Sequence, residues 1–532
     1  MKTKTILFYL ATIPSLFTYS QRNASATKKI PLKSNKLPNV IFIYADDMGK
    51  GMLSYYKQKH ITTPNIDKIF KEGVSFSRSY GCHFSAPARA SMLTGYHDCR
   101  TNDKWNITRG GSLRFADTSK VAAAEKRLDR TNVYLPKGDL YLPQVFKKAG
   151  YITAQFGKLD YGFASTRKQL TAHGWDYYYG YLDHVRCHGF YPPYLFDNGK
   201  IDMISGNTDI KCGKNSETKL DGSIELRMDR TGKAQYSQDI FMNKILTYIH
   251  QHKNDLFFLY HPTQLPHGPV SIPFIDPEVV GNKDLSESEK MYASMLKKLD
   301  RNVGEIMQEL DQLGLTKKTL IIFSSDNGHE LYYGHPGMSK HHLKNIITNQ
   351  KVDHYKVKFY SKTCGDVFNG NYGMAGLKRS NLDGGAHIPL AYYWPGHIDG
   401  GRICNQLVSN YDMIPTFCEL FGLPKLTEKS GISYARFLLY KHAKKFDSKR
   451  CVVNNSFMGP SIVRNDGWKL RYFIPSEVFE LYNLFEDPAE HNNVIKENPE
   501  IANELRKELY KECTPAYISS SKGMKEKEFI KF

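Results

Sequence analysis

The sequence has 532 residues, enough to bury a large core and to divide into one large and one small domain. It contains no internal repeats and no long low-complexity tract, which excludes a repeat protein. The formal net charge is +19, with Lys and Arg scattered along the chain rather than gathered in one arm. Such a surface suits an anionic ligand, whether nucleic acid, a lipid surface or a sulfated polymer, and charge alone does not choose among them.

The N-terminus has the pattern of a secretory signal. A lysine-containing start is followed by an apolar run, residues 6–17, that is too short to span a bilayer. Cleavage sites are available after Ser20 and at the Ala-x-Ala of residues 24–26, so we interpret residues 1–26 as a cleaved signal peptide rather than an anchor. No later stretch resembles a transmembrane helix. The sequence therefore predicts an exported protein, periplasmic or secreted, without a transmembrane segment.

The cysteine count is odd. The chain has nine cysteines and no C-x-x-C spacing, so no zinc site is indicated. An exported protein can pair some of them, but at least one must stay free or pair between chains. The sequence does not specify which cysteines pair.

Four apolar runs predict buried strands. They cover residues 40–44, 151–156, 256–260 and 320–323, lack polar alternation and are bounded by turn residues. Polar side chains follow each run, in order Asp46 and Asp47; Lys158; His261 and His267; Asp326 and Asn327. Because ligands bind beyond the carboxyl ends of parallel strands, we expect these side chains to share one site.

A long helix is predicted between the third and fourth runs. Ser286 and Glu289 match a capping box, apolar residues recur at helical spacing up to Leu310, and Gly314 ends the pattern. A strand–helix–strand order indicates a right-handed crossover in a mostly parallel sheet. The predicted class is α/β.

The character of the chain changes after about residue 425. Short strand-like segments cover residues 468–473 and 478–481, and a helical segment covers 499–511. We predict a large catalytic domain over residues 38–425 and a small α+β domain over 426–518.

Two acidic or amide pairs indicate a hard metal ion. Asp46–Asp47 and Asp326–Asn327 supply four oxygen ligands from two strand ends, and such ligands select Ca²⁺ or Mg²⁺ over zinc. One pair alone would more often be a turn or a helix cap. Two pairs at equivalent strand ends favour the metal.

The stretch Ser85–Gly95 reads Ser-Ala-Pro-Ala-Arg-Ala-Ser-Met-Leu-Thr-Gly. It resembles the signature of the sulfatase family of the alkaline phosphatase superfamily at every defined position. The resemblance extends from about residue 38 to 495 and includes Gly157–Lys158, Pro266–His267, Ser325–Gly328 and Lys378–Arg379. It implies an alkaline-phosphatase-like fold, a large mostly parallel sheet sandwiched by helices, with a smaller C-terminal α+β domain.

The resemblance also implies roles for individual residues. A radical-type maturase would oxidise Ser85 to formylglycine, whose hydrate supplies a nucleophile that can later expel sulfate. The cation, Ca²⁺ or Mg²⁺, would be held by Asp46, Asp47, Asp326, Asn327 and the modified Ser85. Arg89, Lys158 and Lys378 would neutralise sulfate oxygens, and His267 would protonate the leaving sugar oxygen.

The sequence departs from the family pattern at Asp160. The family commonly has Gly-Lys-x-His, and this chain has Gly157-Lys158-Leu159-Asp160. The segment 187–192 resembles a loop that supplies a histidine in some carbohydrate sulfatases, so we predict that His188 takes that role. Polar residues expected to bind substrate are Asp160, Arg186, His329 and His335.

The expected activity is hydrolysis of sulfate esters on a carbohydrate. Resemblance at the subgroup level implies an exo-type polysaccharide or glycosaminoglycan sulfatase, acting on galactose or N-acetylgalactosamine 6-O-sulfate. The expected partners are a sulfated oligo- or polysaccharide and the maturase, with no nucleic acid. Two alternatives stay open at this point: a phosphodiesterase or phosphonate hydrolase of the same superfamily, and a noncatalytic polyanion-binding protein.

Overall fold

The computed structural model describes residues 37–99, 117–128, 138–159, 166–183, 185–214, 229–333, 343–344, 351–352, 358–427, 429–456 and 458–513. The predicted signal peptide, residues 1–26, lies outside these ranges. Within them, none of the helices combines the length and the apolar character needed to cross a bilayer.

The strands of the described residues form a large sheet, a small sheet and a two-stranded ribbon. In chain order they are β1 (Asn39–Ala45), β2 (Val74–Tyr80), β3 (Ile152–Lys158), β4 (Tyr177–Tyr181), β5 (Tyr194–Asp197), β6 (Lys200–Met203), β7 (Phe257–Pro262), β8 (Thr319–Ser325), β9 (Leu343–Lys344), β10 (Lys351–Val352), β11 (Leu390–Tyr393), β12 (Arg402–Ser409), β13 (Cys451–Asn454), β14 (Ser461–Arg464), β15 (Trp468–Phe473) and β16 (Val478–Asn483).

The large sheet has ten strands in the order β12-β2-β11-β8-β1-β7-β3-β4-β5-β6. Its centre, β8-β1-β7-β3-β4, is parallel throughout, whereas β11, β5 and β6 pair antiparallel with their neighbours. The four apolar runs are four adjacent strands, β8, β1, β7 and β3, which confirms that they are buried strands. Their carboxyl ends therefore meet at one edge of the sheet.

Helices connect the strands. In the described residues they are α1 (Pro64–Glu72), α2 (Ser85–Thr94), α3 (Val121–Leu128), α4 (Leu142–Lys148), α5 (Arg167–Ala172), α6 (Ser237–Gln251), α7 (Pro277–Val280), α8 (Glu287–Gln312), α9 (Ser361–Cys364), α10 (Met413–Leu420), α11 (Ala435–Leu439) and α12 (Pro499–Glu512).

Both faces of the large sheet are covered, as strands without polar alternation require. Along β1, Ile41 and Ile43 belong to one apolar core, which α1, α6 and α8 complete. Val40 and Phe42 point the opposite way into a second core, completed by α2, α4 and α10. The sheet sandwiched by helices confirms the predicted fold class.

The predicted crossover helix is α8. Ser286 accepts a hydrogen bond from the backbone N–H of Glu289, whose carboxylate accepts one from the backbone N–H of Ser286, so the capping box is formed. Leu313 caps the carboxyl end, and Gly314 follows with a φ of 67°. The sequence prediction for this helix is confirmed within two residues at each end.

The C-terminal part contains an antiparallel sheet in the order β13-β14-β15-β16. Leu470 and Leu481 of this sheet pack with Leu505 and Leu509 of α12 in a separate core. Residues 434–438 still belong to the core of the large sheet. The domain boundaries at 425 and 426 stay predictions.

Candidate active site

Functional side chains converge at the carboxyl edge of the large sheet. Asp46 and Asp47 directly follow β1, Lys158 is the last residue of β3, and Asp326 and Asn327 directly follow β8. The pattern follows from topology, because parallel strands place their carboxyl ends at the same edge. The sequence prediction that these side chains share one site agrees with this placement.

Ser85 lies at the first residue of α2 and is buried. Its hydroxyl oxygen receives hydrogen bonds from Arg89 Nε at 3.1 Å and from Lys158 Nζ at 3.0 Å. The hydroxyl also lies 3.1 Å from Asp46 Oδ1 and 2.5 Å from Asp326 Oδ2. An oxygen at residue 85 is therefore surrounded by two cations and two carboxylates.

The local sequence explains why α2 presents Ser85 in this way. Pro87 occupies the first turn, where its missing N–H has no intrahelical partner to lose. The helix ends at Gly95, whose φ of 73° lies in the left-handed region that glycine adopts readily. Arg89 follows Ser85 by four residues, so both side chains lie on the same face of α2.

The charges of the site are buried and mutually compensating. Lys158 and Arg89 contact Asp46 at 2.9 and 3.4 Å, and Lys378 contacts Asp47 at 2.6 Å. All five side chains are at most 4% exposed. Charges removed from water need such partners, since an isolated buried ion costs several kcal/mol.

The pKa values follow from this arrangement. Burial opposes ionisation of Asp46, but Lys158 and Arg89 outweigh it and hold the pKa of Asp46 well below its usual range. Burial and the neighbouring Asp46 raise the pKa of Asp326 to about 7, against the attraction of Arg89. A bound cation would offset the repulsion between these neighbouring carboxylates.

The donor set fits a hard cation. Ligand atoms of Asp46, Asp47 and His267 lie within 4.8 Å of one another, the one such group of His, Cys, Asp and Glu side chains found among the described residues. The side-chain oxygen of Asn327 is buried with no hydrogen-bond partner in this part of the chain, while its nitrogen donates to Asp47 at 2.8 Å. A buried oxygen that lies beside carboxylates and accepts no hydrogen bond from a described residue fits the role of a metal ligand.

The site also has capacity for an anion. Nη1 of Arg89 is buried and makes no hydrogen bond to any described residue, although Nε and Nη2 bind Asp326 and Ser85. Lys158 also reaches the Ser85 hydroxyl, and the first backbone N–H groups of α2, which lack intrahelical partners, lie at the helix end that carries Ser85. Together they can receive the oxygens of a tetrahedral anion held next to residue 85.

The loop after β7 brings His267 to the site, next to Asp47 and Lys378. Its Nε2 lies 3.3 Å from Asp47 Oδ2 and 3.3 Å from Lys378 Nζ. The ring of His188 stacks on the ring of His267, with centroids 4.1 Å apart and planes 9° apart. The structure thus brings both predicted histidines to the same cluster.

Tyr332 is a site residue that the sequence analysis missed. Its hydroxyl donates a hydrogen bond to Asp47 Oδ2 and lies 3.5 Å from Lys378 Nζ, and its ring lies 5.0 Å from that of His267. No motif marks this tyrosine, because it follows Asn327 by five residues in a loop without periodicity. Asp47, which it contacts, has a φ of 61°, a strained backbone conformation that is frequent at functional sites.

The residues predicted to bind substrate fall into two groups. Arg186 and His329 are completely buried: Arg186 stacks on Tyr194 at 3.8 Å, and His329 hydrogen-bonds Tyr333 at 2.8 Å. These contacts hold both side chains within the protein. Asp160 and His335 lie outside the described residues. The substrate-binding roles stay predictions.

The fold is an alkaline-phosphatase-like α/β fold, and its candidate site holds a buried serine at a helix N-terminus between cations and carboxylates. The chain belongs to the sulfatase family, since a family model described as Sulfatase matches residues 38–423. A second model, described as N-sulphoglucosamine sulphohydrolase, C-terminal, matches residues 370–514. The protein is therefore a sulfuric ester hydrolase, which overturns the alternative of a noncatalytic polyanion-binding protein.

Individual relatives agree with the family. An N-acetylgalactosamine-6-O-sulfatase of Bacteroides thetaiotaomicron is 26% identical over 94% of this chain and 98% of its own length. The N-acetylgalactosamine-6-sulfatase of Rattus norvegicus is 27% identical over 76% of this chain, which spans 66% of that relative. A structure from work on the metabolism of multiple glycosaminoglycans by Bacteroides thetaiotaomicron superposes with a TM-score of 0.65 at 23% identity, covering 90% and 100% of the two chains. At this identity the last likeness shows the fold alone.

Proposed function

We propose that this protein hydrolyses sulfate esters on a carbohydrate, as an exo-acting sulfatase of galactose or N-acetylgalactosamine 6-O-sulfate units. One observation carries the chemistry: the side-chain oxygen of residue 85 is held by Arg89 and Lys158 and flanked by Asp46 and Asp326. The names of the Bacteroides and rat relatives support the choice of sugar and of position.

The nucleophile of the proposal is residue 85 after oxidation to formylglycine. The hydrate of that group supplies a hydroxyl nucleophile and a route for expelling sulfate, which an ordinary serine lacks. Arg89 and Lys158 stabilise negative charge on the oxygen of residue 85 and on the sulfate oxygens, because both donate to that position from fixed, buried side chains. A radical-type maturase is the proposed source of the modification.

A cation, Ca²⁺ or Mg²⁺, would be held by Asp46, Asp47, Asp326 and Asn327, together with residue 85. It would supply positive charge beside the sulfate ester and polarise it. Lys378 holds Asp47 in place through the 2.6 Å contact. His267, within reach of both Lys378 and Asp47, delivers the proton to the leaving sugar oxygen.

The substrate claim has a second support in charge. The chain carries a formal net charge of +19, and a basic surface raises the local concentration of sulfated chains. Export to the periplasm or the medium, which the N-terminal segment predicts, would bring the enzyme to such polymers.

The test combines a mass measurement with a substrate panel. The protein is made with and without a radical-type maturase, and the peptide that contains residue 85 is weighed. We expect it to be about 2 Da lighter after maturation, the loss of two hydrogens from serine, and activity to appear only in that sample. Full activity with unmodified serine, equal to that of the matured sample, would refute the nucleophile.

The panel contains 6-, 4-, 3- and 2-sulfated galactose, N-acetylgalactosamine and glucosamine saccharides, with a phosphodiester and a phosphonate ester as controls. We expect the 6-sulfated galacto-configured sugars to be hydrolysed fastest, because buried polar groups left unpaired by a wrong epimer discriminate strongly. Preference for a gluco-configured sugar would remove the galacto assignment. Preference for 4-sulfate would remove the positional one, and in both cases the family assignment stands.

A further inference from the structure

Two cysteines that are far apart in the sequence meet in the core of the small sheet. Cys99 follows α2, and Cys513 directly follows α12. Both are fully buried and belong to the same apolar core, together with Leu505 and Leu509. The thiols are neighbours, since Cys513 contributes to raising the pKa of the Cys99 thiol, and the structure records both as free thiols.

The residues beside the two cysteines hold the same two segments together. His97 Nε2 lies 2.9 Å from Glu512 Oε2, so the residue before Cys513 contacts the residue two before Cys99. Asp98 accepts a hydrogen bond at 2.8 Å from the backbone N–H of Asn455, which follows β13. Three consecutive residues after the active-site helix are thus in contact with the C-terminal part of the chain, and the approach of the thiols is part of a larger interface.

We propose that Cys99 and Cys513 are a disulfide site, which fastens the C-terminal helix α12 to the segment that leaves the active-site helix α2. A disulfide requires neighbouring sulfurs with adjacent β-carbons, and two cysteines buried in one core beside contacting segments can meet that requirement. Sequence spacing gave no pairing for the nine cysteines, whereas the fold buries these two in one core and joins the adjacent segments through His97 and Glu512. The inference depends on the proposed export in one respect: an exported chain meets a disulfide oxidant.

The chemistry is thiol–disulfide exchange with an external disulfide oxidant. The thiolate of one cysteine attacks a sulfur of the oxidant, a mixed disulfide forms, and one oxidant thiol leaves. The second cysteine then attacks the mixed disulfide and releases the other oxidant thiol. Two protein thiols are oxidised to one disulfide, and one oxidant disulfide is reduced to two thiols.

Burial indicates when this exchange takes place. Burial, then contact with Cys513, raises the pKa of the Cys99 thiol well above its usual range, so the folded protein holds little thiolate there. The site is also closed to a bulky oxidant, since neither cysteine is exposed. The bond therefore forms while the chain folds and resists reduction afterwards.

The test is a peptide map of the full chain made in an oxidising compartment of a bacterial host. The protein is denatured with an alkylating reagent but no reductant, digested and analysed by mass spectrometry. We expect a linked peptide containing Cys99 and Cys513, which separates into two alkylatable peptides after reduction. Alkylation of both cysteines without reduction, or linkage of either to another cysteine, would overturn the proposal.

A heat-inactivation series tests whether the bond stabilises the attachment of α12 to the segment after α2. Cys513→Ser is compared with the matched control Cys418→Ser, which removes another buried thiol outside this core. We expect the half-life at elevated temperature to fall at least about threefold in Cys513→Ser and to stay near wild type in the control. Equal half-lives of Cys513→Ser and Cys418→Ser would show that the bond does not stabilise the attachment of α12. Because the peptide map does not depend on hydrolysis, it separates failure of this site from failure of the proposed substrate.

Discussion

Among single residues, Arg89 contacts several groups of the candidate site at once. One guanidinium nitrogen binds Ser85, a second binds Asp326 at 2.8 Å, and the third is buried with no described partner. Its face also lies over the ring of Tyr44, 5.3 Å from the centroid. A planar group with separate donors can bind the side-chain oxygen of residue 85 and a neighbouring anion at once, in a fixed geometry that a lysine ammonium does not offer.

His188 is the residue whose role most needs an experiment. Its ring stacks on that of His267, and the family histidine expected at position 160 is absent. We predict that His188→Ala lowers kcat at least tenfold with little change in KM, because a proton-transfer group contributes at least this much. The measurement is steady-state kinetics on the preferred 6-sulfated sugar.

The matched control is His252→Ala. His252 caps the end of α6, which runs toward the start of β7 and so lies at the sheet edge opposite the site. Its kcat should equal that of the wild type. An unchanged kcat in His188→Ala would mean that another group, such as Asp160, acts at residue 85.

Asp98 makes the stability of the protein depend on pH. Burial raises the pKa of Asp98 to about 7, and one of its oxygens is buried without a hydrogen-bond partner among the described residues. In an unfolded chain its pKa is about 4, so the folded state binds the proton more tightly. The folded state is therefore penalised progressively as pH rises from about 4 to about 7, and fully above that.

We predict that Asp98→Asn raises the free energy of unfolding at pH 8 by roughly 1–3 kcal/mol and has little effect near pH 4. Urea denaturation at the two pH values measures this difference. The exposed Asp399→Asn should change neither value. A variant that is destabilised at pH 8 would show that the charged carboxylate is needed in the fold.

Among the secondary-structure elements, the carboxyl ends of strands carry the charged residues of the site, and the start of a helix carries Ser85. The central strands are buried and mostly apolar, and their charged residues lie at or just after the carboxyl edge. Gly157, just before Lys158, has a φ of 129°, and a Cβ there would lie 2.3 Å from the carbonyl oxygen of Pro262. Glycine is therefore required for β3 and β7 to approach closely beside the site.

The capping box of α8 is a testable element of the fold. We predict that Ser286→Ala lowers the free energy of unfolding by about 1 kcal/mol, because the backbone N–H of Glu289 loses its acceptor at the helix start. Ser286→Thr keeps a hydroxyl acceptor and should retain most of the stability. The measurement is the urea midpoint of the three proteins; equal midpoints would mean that the helix start contributes nothing to global stability.

At the scale of the whole molecule, a buried ionic cluster joins the small sheet to the active-site loop. Lys469 of β15 contacts Glu490 at 2.9 Å and Asp383 at 3.6 Å, and the backbone N–H of Asp383 donates to Glu490 at 2.6 Å. Asn381 adds a hydrogen bond at 2.8 Å to the carbonyl oxygen of Tyr472. The loop that these contacts hold also carries Lys378, so the C-terminal sheet supports a residue of the site.

We predict that Lys469→Met lowers the free energy of unfolding by about 3–5 kcal/mol, since it leaves two buried carboxylates without their cation. It should also lower kcat, because the loop carrying Lys378 loses its support. Lys511→Met is the control: this lysine is 70% exposed and pairs with Glu508 at the surface, where ion pairs contribute about 0–1 kcal/mol. Chemical denaturation and kinetics check both, and equal effects of the two changes would contradict the proposed support.

Local features of this protein could be predicted from the sequence. Apolar runs predicted the central strands and a capping box predicted α8, because each is encoded by neighbouring residues whose spacing matches a strand or helix period. The motif beginning at Ser85 indicated the family through its resemblance to the family signature. The polar residues after the runs also predicted the site, since parallel strands end at one edge. The placement of Arg89 on the face of Ser85 follows from the same helical period.

Contacts between residues that are not neighbours in the sequence became known from the fold. It brought Tyr332 to Asp47, stacked His188 on His267, buried Arg186 against Tyr194 and placed Cys99 and Cys513 in one core. None of these pairs has a spacing that local geometry requires. They arise because the chain closes around shared cores, and closure depends on the packing of the whole sheet and its helices rather than on any one segment.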